Sequence, residues 1–174
     1  MRTFCYLLLI SLFLSLCNAS IVEDTCKNIS SSNPDIVYDF CVSSFKSYNA
    51  TSQAADQRTL AIIASRLANS TAAKTQERIQ ELMEAEKNKP RKNRLDVCME
   101  VYSLAIDDLR TAEQAIEAER DPDAVVFLSA ASNASSDCED AFAEAKDACP
   151  LEKENGEYDQ MAAIALVIVA ALHR

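Results

Sequence analysis

The stretch LDVCMEVYSLAIDDLRTAEQAI, residues 95–116, carries Leu95, Cys98, Tyr102, Ala105, Leu109, Ala112 and Ile116 at alternating steps of three and four. That period puts all seven on one face of an α-helix, the pattern of an amphipathic helix laid against a core. Beyond Pro122 the same rhythm continues through Ala124, Leu128, Ala131, Ser135, Cys138, Phe142, Ala145 and Cys149. Folding the chain back about Asp121 turns these two stripes toward each other, so a disulfide between the helices is geometrically natural. Cys98 stands 23 residues before the turn, with Cys138 17 and Cys149 28 after it. Either mismatch is under about 10 Å at 1.5 Å rise per residue, which a loop absorbs. Spacing therefore leaves both partners open.

Working outward, all four prolines fall where a helix should start or stop. Asn33-Pro34-Asp35 and Asp121-Pro122-Asp123 each offer a capping side chain followed by proline at the first helical position, where its missing N–H costs nothing. Helix starts are predicted at both. Lys89-Pro90 closes a long amphipathic stretch over residues 56–87 and opens the next, and Pro150 is expected to end a helix running up to Cys149. Residues 161–172 are wholly apolar and follow a charged stretch at 152–159. At 12 residues the segment is too short to span a bilayer and lacks the polar spacer of a lipid-anchor signal. It reads as a helix buried in the fold. One glycine and no tryptophan, with abundant alanine, suit helices and not a many-stranded sheet. The fold class is all-α.

Arg2 followed by an apolar run from Phe4 to Cys17, with small residues at Cys17 and Ala19, reads as a signal peptide over residues 1–19 and a single domain over 20–174. Export to an extracellular, oxidising compartment follows. Cleavage leaves 16 basic against 27 acidic residues, a net charge of −11, which argues against nucleic acid as a partner. No membrane partner is expected. Cys26, Cys41, Cys98, Cys138 and Cys149 remain, enough for two bridges and one odd thiol. Cys26 and Cys41 bracket Asn33-Pro34, which suits two short helices clipped at their open end. Closing that short loop is worth roughly 3 kcal/mol. Zinc fails on spacing, since no two cysteines lie close together and the only histidine is His173.

Sequons stand at Asn28, Asn49, Asn69 and Asn133. Asn69 lies two residues beyond Leu67 and Asn133 two beyond Ala131, so each should point about 200° from its core stripe, into solvent. Catalytic signatures are missing: no glycine-rich phosphate loop, no Gly-x-Ser-x-Gly and no histidine placed to serve a nucleophile. The pairs Asp107-Asp108 and Glu139-Asp140 diverge by 100° on a helix and read as solvated faces. Cys149, on an apolar stripe, reads as buried and not as a reactive thiol. No cofactor is implied. A carrier whose bundle encloses a small apolar ligand, with Ala130, Ala131 and Ala134 lining it, is the alternative to a protein-binding role.

Cys26 with Tyr38-Asp39-Phe40-Cys41, the stretch around Asp96-Val97-Cys98 to Tyr102, and Ser129-Ala130-Ala131 followed by Cys138-Glu139-Asp140-Ala141-Phe142 together resemble the plant invertase and pectin methylesterase inhibitor family, including its pollen-allergen branch. The resemblance spans nearly the whole chain after residue 19. It implies a four-helix bundle preceded by a short helical hairpin, bridges Cys26 to Cys41 and Cys98 to Cys138, and a free Cys149. It also implies no enzymatic activity and a secreted inhibitor of the cell wall that covers its target enzyme's active site in a stoichiometric complex. The invertase-blocking branch is associated with Pro-Lys-Phe before the third bundle helix, where this chain has Pro122, Asp123 and Ala124. Asp123 would be repelled by the carboxylates of a glycosidase site and Ala124 lacks an aromatic anchor. Pectin methylesterase is therefore favoured over invertase as the target.

Overall fold

The computed structural model describes residues 21–48 and 56–172. The expected signal peptide, Asn49 and His173 lie outside them. A helical hairpin, α1 (residues 21–32) and α2 (Tyr38–Ser47), precedes α3 (Gln57–Ala85), α4 (Lys89–Glu117), α5 (Asp121–Ala131), α6 (Ala134–Ala143) and α7 (Glu152–Leu172). The long helices α3, α4 and α7 and the broken rod α5–α6 form an up-down four-helix bundle. No described helix is long and apolar enough to cross a membrane.

Local chemistry sets most helix ends. Asp56 accepts a hydrogen bond from the Thr59 amide at 2.8 Å, and Asn88 accepts from the Arg91 amide at 3.1 Å with Pro90 in the first turn. At the end of α4 the Arg120 amide donates to Ala115 O and the Glu119 amide to Ile116 O, with Glu119 left-handed at φ 58°. This double return satisfies the last carbonyls of α4.

Two expected helix ends are corrected and a third is refined. Pro34 starts no helix: residues 33–37 form a turn in which Asn33 Oδ1 accepts from the Asp35 amide, and α2 begins only at Tyr38. The start expected at Asp121-Pro122 is found, with Pro122 in the first turn of α5; the residue before it, Arg120, forms no side-chain cap, and Arg58 holds the Asp121 carboxylate through two contacts of 2.6 and 2.9 Å. The last helix before Pro150 ends at Ala143, not Cys149, through a left-handed residue, Lys146, and returns from the Lys146 and Asp147 amides to Ala143 O and Phe142 O. Ala145 is accordingly exposed. The rod also breaks at Ser132 and Asn133, in a run where the Ser132 and Ser136 hydroxyls donate to the Ser129 and Asn133 carbonyls. Both residues keep right-handed helical angles, so the stripe passes through the break in phase.

The stripe of α4 is buried along its whole length, against Ala124, Leu128, Ala131, Cys138 and Phe142 of the rod. Cys98 bridges to Cys138 with Cα atoms 4.5 Å apart, and Cys26 to Cys41 at 5.8 Å. The choice that spacing left open therefore falls on Cys138, and Cys149 is free. Residues 161–172 belong to α7, which starts at Glu152 and buries Met161, Ile164, Ala165, Ile168 and Val169.

A polar knot crosses the centre. Asn155 of α7, only 1 % exposed, accepts from Tyr102 Oη at 2.9 Å and donates to Glu139 Oε1 at 3.2 Å and Ser135 O at 3.4 Å. Tyr158 Oη donates to Ala131 O at 2.7 Å, and its ring meets that of Tyr102 edge to face at 5.0 Å. Burial pushes both phenols well above their ordinary pKa.

Two stability measurements test these assignments. Asn155→Ala leaves the buried Tyr102 hydroxyl without its acceptor and should lower the unfolding free energy by about 1–3 kcal/mol in urea titration; an unchanged midpoint would reject the knot. Glu119→Gly removes the left-handed penalty of a side chain at the α4 terminus. It should stabilise by about 0.5–1 kcal/mol, and a loss of stability would contradict the assigned turn.

Candidate functional site

The flanks of the bundle differ in what their side chains are already doing. Between α3 and α4, Arg66 binds Glu113 at 2.7 Å and Glu117 at 3.1 Å, Gln76 donates to Ser103 at 2.6 Å, and Asn69 donates to Ile106 O at 3.2 Å. The outer side of α7 meets the hairpin, where Gln160 accepts from the Val37 amide at 2.9 Å and donates to Asp35 O. Between α6 and α7, Glu139 is held by Asn155.

The remaining flank joins α4 to the rod α5–α6. On α4, Val97, Val101, Leu104 and Asp108 recur at steps of four, three and four, on the side away from the Ser103 and Ile106 contacts to α3. Val97 is 42 % and Leu104 59 % exposed; on the rod, Val126 is 66 % exposed. Charge is one-sided. Between Arg94 and Arg110 the chain has four acids and no cation, and between Arg120 and Lys146 six acids and no cation. Asp96, Glu100, Asp137 and Asp140 are exposed and form no ion pair with another described residue. Burial, then the neighbouring Asp107, raises the pKa of half-buried Asp108. Protruding apolar groups amid unneutralised carboxylates suit recognition of a cationic protein surface, whose approach they would steer.

The turn singled out in sequence lies at one end of this flank, and its three residues separate. Pro122 and Asp123 are exposed, with Asp123 bound to Arg120 at 2.8 Å. Ala124 is 0 % exposed and packs in the core, so it contacts no partner and an aromatic side chain there would be driven inward. Arg58, clasping Asp121 and donating to Ile116 O at 2.9 Å, holds the turn in place.

At the other end, Asp147 receives Arg91 at 2.6 Å and Arg94 at 2.7 Å, and both guanidinium groups lie over the Phe142 ring. Arg94, then the charge of Arg91, holds the Asp147 carboxyl below the usual carboxylate range. Cys149 beside this clamp is half-buried, where the sequence suggested full burial, because the helix has already ended. Burial raises its pKa, which leaves little thiolate at neutral pH.

Of the sequons, Asn28 and Asn133 are exposed. Asn69 is only half-buried and bound to α4, a correction with a clear cause: the stripe of α3 runs through Ala61, Ala64, Ala68 and Ala72, so Asn69 lies 100° from it and not 200°. Ala130 is exposed and lines no interior chamber. The cleft of about 670 Å³ between Phe40 and the start of α7 is rimmed by exposed Glu152, Lys153 and Glu157, an open groove. Sequence reading missed the flank itself. Its traces were there, in apolar residues out of phase with the α4 stripe and in cation-free runs, but only the packing of α4 against the rod brings the helices that carry them side by side.

The family description "Plant invertase/pectin methylesterase inhibitor" matches residues 20–168. A Platanus orientalis protein named "Putative invertase inhibitor" is 34 % identical over 158 residues, 90 % of this chain and 92 % of that protein. The Arabidopsis thaliana protein named "Pectinesterase inhibitor 2" is 31 % identical over 129 residues, 74 % of each chain. A crystal structure of a mutant pectin methylesterase inhibitor from Arabidopsis superposes with a TM-score of 0.68 at 18 % identity, covering 82 % of this chain and 95 % of that one, which establishes the shared helical-bundle fold. The chain belongs to the plant invertase/pectin methylesterase inhibitor family.

Proposed function

We propose that this protein is exported to the cell wall through residues 1–19 and there inhibits a pectin methylesterase, in preference to an invertase, by a one-to-one complex that covers the enzyme's active site. The observation that carries this reading is the flank of α4 and α5–α6, where Val97, Leu104 and Val126 protrude among carboxylates with no intervening cation. The occupant that fits is a basic enzyme surface, met first by long-range attraction and then by apolar contact. The preference rests on Asp123, whose negative charge at the bundle end opposes the carboxylates of a glycosidase site. Relatives named for each enzyme support the pair of targets without ranking them.

Titration against a basic pectin methylesterase and an acid invertase at mildly acidic pH tests the reading. Asp137→Lys with Asp140→Lys should slow association with the pectin methylesterase about tenfold at low salt, with the difference fading as salt screens it, and should leave the helical circular dichroism unchanged. Asp123→Lys alone should speed association with invertase. Tight invertase inhibition by the unmodified protein would overturn the ranking, and indifference of pectin methylesterase to the double reversal would move the docking surface elsewhere.

A further inference from the structure

Asn133 lies at the break between α5 and α6, midway along the rod that forms one side of the docking flank. It is exposed, and its side chain neither caps α6 nor hydrogen-bonds to any described residue. Asn69, by contrast, spends its amide on Ile106 O, and Asn28 stands on the hairpin. Because the rod keeps helical phase through its break, Val126, Asn133 and Asp140, spaced by seven, share the outer crest of α5–α6. The rod from Asp121 to Ala143 is about 33 Å long, and Asn133 lies near its midpoint, about 18 Å from Asp121 and about 15 Å from Ala143. A standard protein interface covers about 800 Å² per partner, a patch roughly as long as the rod itself. A footprint of that length laid along the outer crest, where Val126 protrudes, includes Asn133.

We infer that Asn133, in Asn133-Ala134-Ser135, is an N-glycan acceptor whose occupancy closes the docking flank, so that the glycosylated chain cannot form the inhibitory complex. In the attachment step Asn133 Nδ2 bonds to the anomeric carbon of a lipid-linked oligosaccharide. The bond from that carbon to the diphosphate oxygen breaks, the lipid diphosphate leaves, and the amide gives up one proton. The resulting sugar is bulky and hydrated, and it stands over the crest between Val126 and Asp140. This inference rests on the proposed docking face and deepens it, since a single covalent event would set the fraction of active inhibitor.

The test uses the full chain secreted from plant cells, with occupancy of each sequon read by glycopeptide mass and forms separated on lectin. Binding to a basic pectin methylesterase is then compared for wild-type chains occupied and unoccupied at Asn133, and for the occupied form after enzymatic trimming of its glycan to the first sugar. The form occupied at Asn133 should bind at least tenfold more weakly than the unoccupied form, and trimming should recover most of that loss. Equal binding of the two wild-type forms overturns the gate while leaving the docking reading intact. Absence of sugar at Asn133 in the secreted protein overturns it too. If unoccupied protein of native helicity binds no pectin methylesterase, the docking reading falls and the gate with it.

Discussion

The Asn155 side chain is the constraint on which the bundle depends. An amide at 1 % exposure must find partners for both ends or cost the fold its full desolvation penalty. It finds them on two other helices, Tyr102 of α4 at its oxygen and Glu139 of α6 at its nitrogen. Sliding α7 by one residue, about 1.5 Å, breaks both contacts. An alanine-rich stripe would tolerate such slips, because small side chains interlock weakly; the polar knot supplies the register that packing alone leaves soft. The Cys98–Cys138 bridge does the same for α4 and α6, and closing a loop of 40 residues removes about 4 kcal/mol of freedom from the unfolded chain.

With register set in this way, α4 and the rod can carry like charges side by side. Their facing flank holds carboxylates and no cation, an arrangement that repels itself and weakens the folded state. A covalent bridge and a fully buried stripe beneath the surface offset that repulsion, so the charges are free to act on a partner. The opposite seam, between α3 and α4, spends its charges internally in the Arg66 contacts with Glu113 and Glu117. Ion clasps of arginine and aspartate sit at both ends of the docking flank, Arg58 with Asp121 and Arg91 and Arg94 with Asp147. Each ties a turn of the rod to a neighbouring helix, so the flank is held at its ends while its middle stays open.

What could be read from particular residues follows a physical division. The α4 stripe, the Asp56 cap and the entry at Lys89-Pro90 are local: their causes lie within a turn or two of helix, and the chain displays them in order. Cys26 with Cys41 is nearly local, since a short loop closes cheaply. The misplaced ends at Pro34 and Cys149 share one cause. In each, a contact remote in sequence or a backbone return overrode the local signal: the Val37 amide donates to Gln160 of α7, and the Lys146 and Asp147 amides return to carbonyls of α6.

By itself, then, the amino-acid sequence determined an all-helical chain, its core stripes, the set of cysteines available for bridging and the excess of negative charge, because each depends on composition or on a period of 3.6 residues. Family resemblance added the choice of Cys138 over Cys149. Only the tertiary structure decided that Ala124 faces inward, that Asn69 is engaged while Asn133 is free, and that the helices carrying Val97, Leu104 and Val126 pack side by side. Those are facts about the mutual rotation of helices, and rotation is set by contacts between residues tens of positions apart, such as Tyr102 with Asn155, which no local pattern encodes.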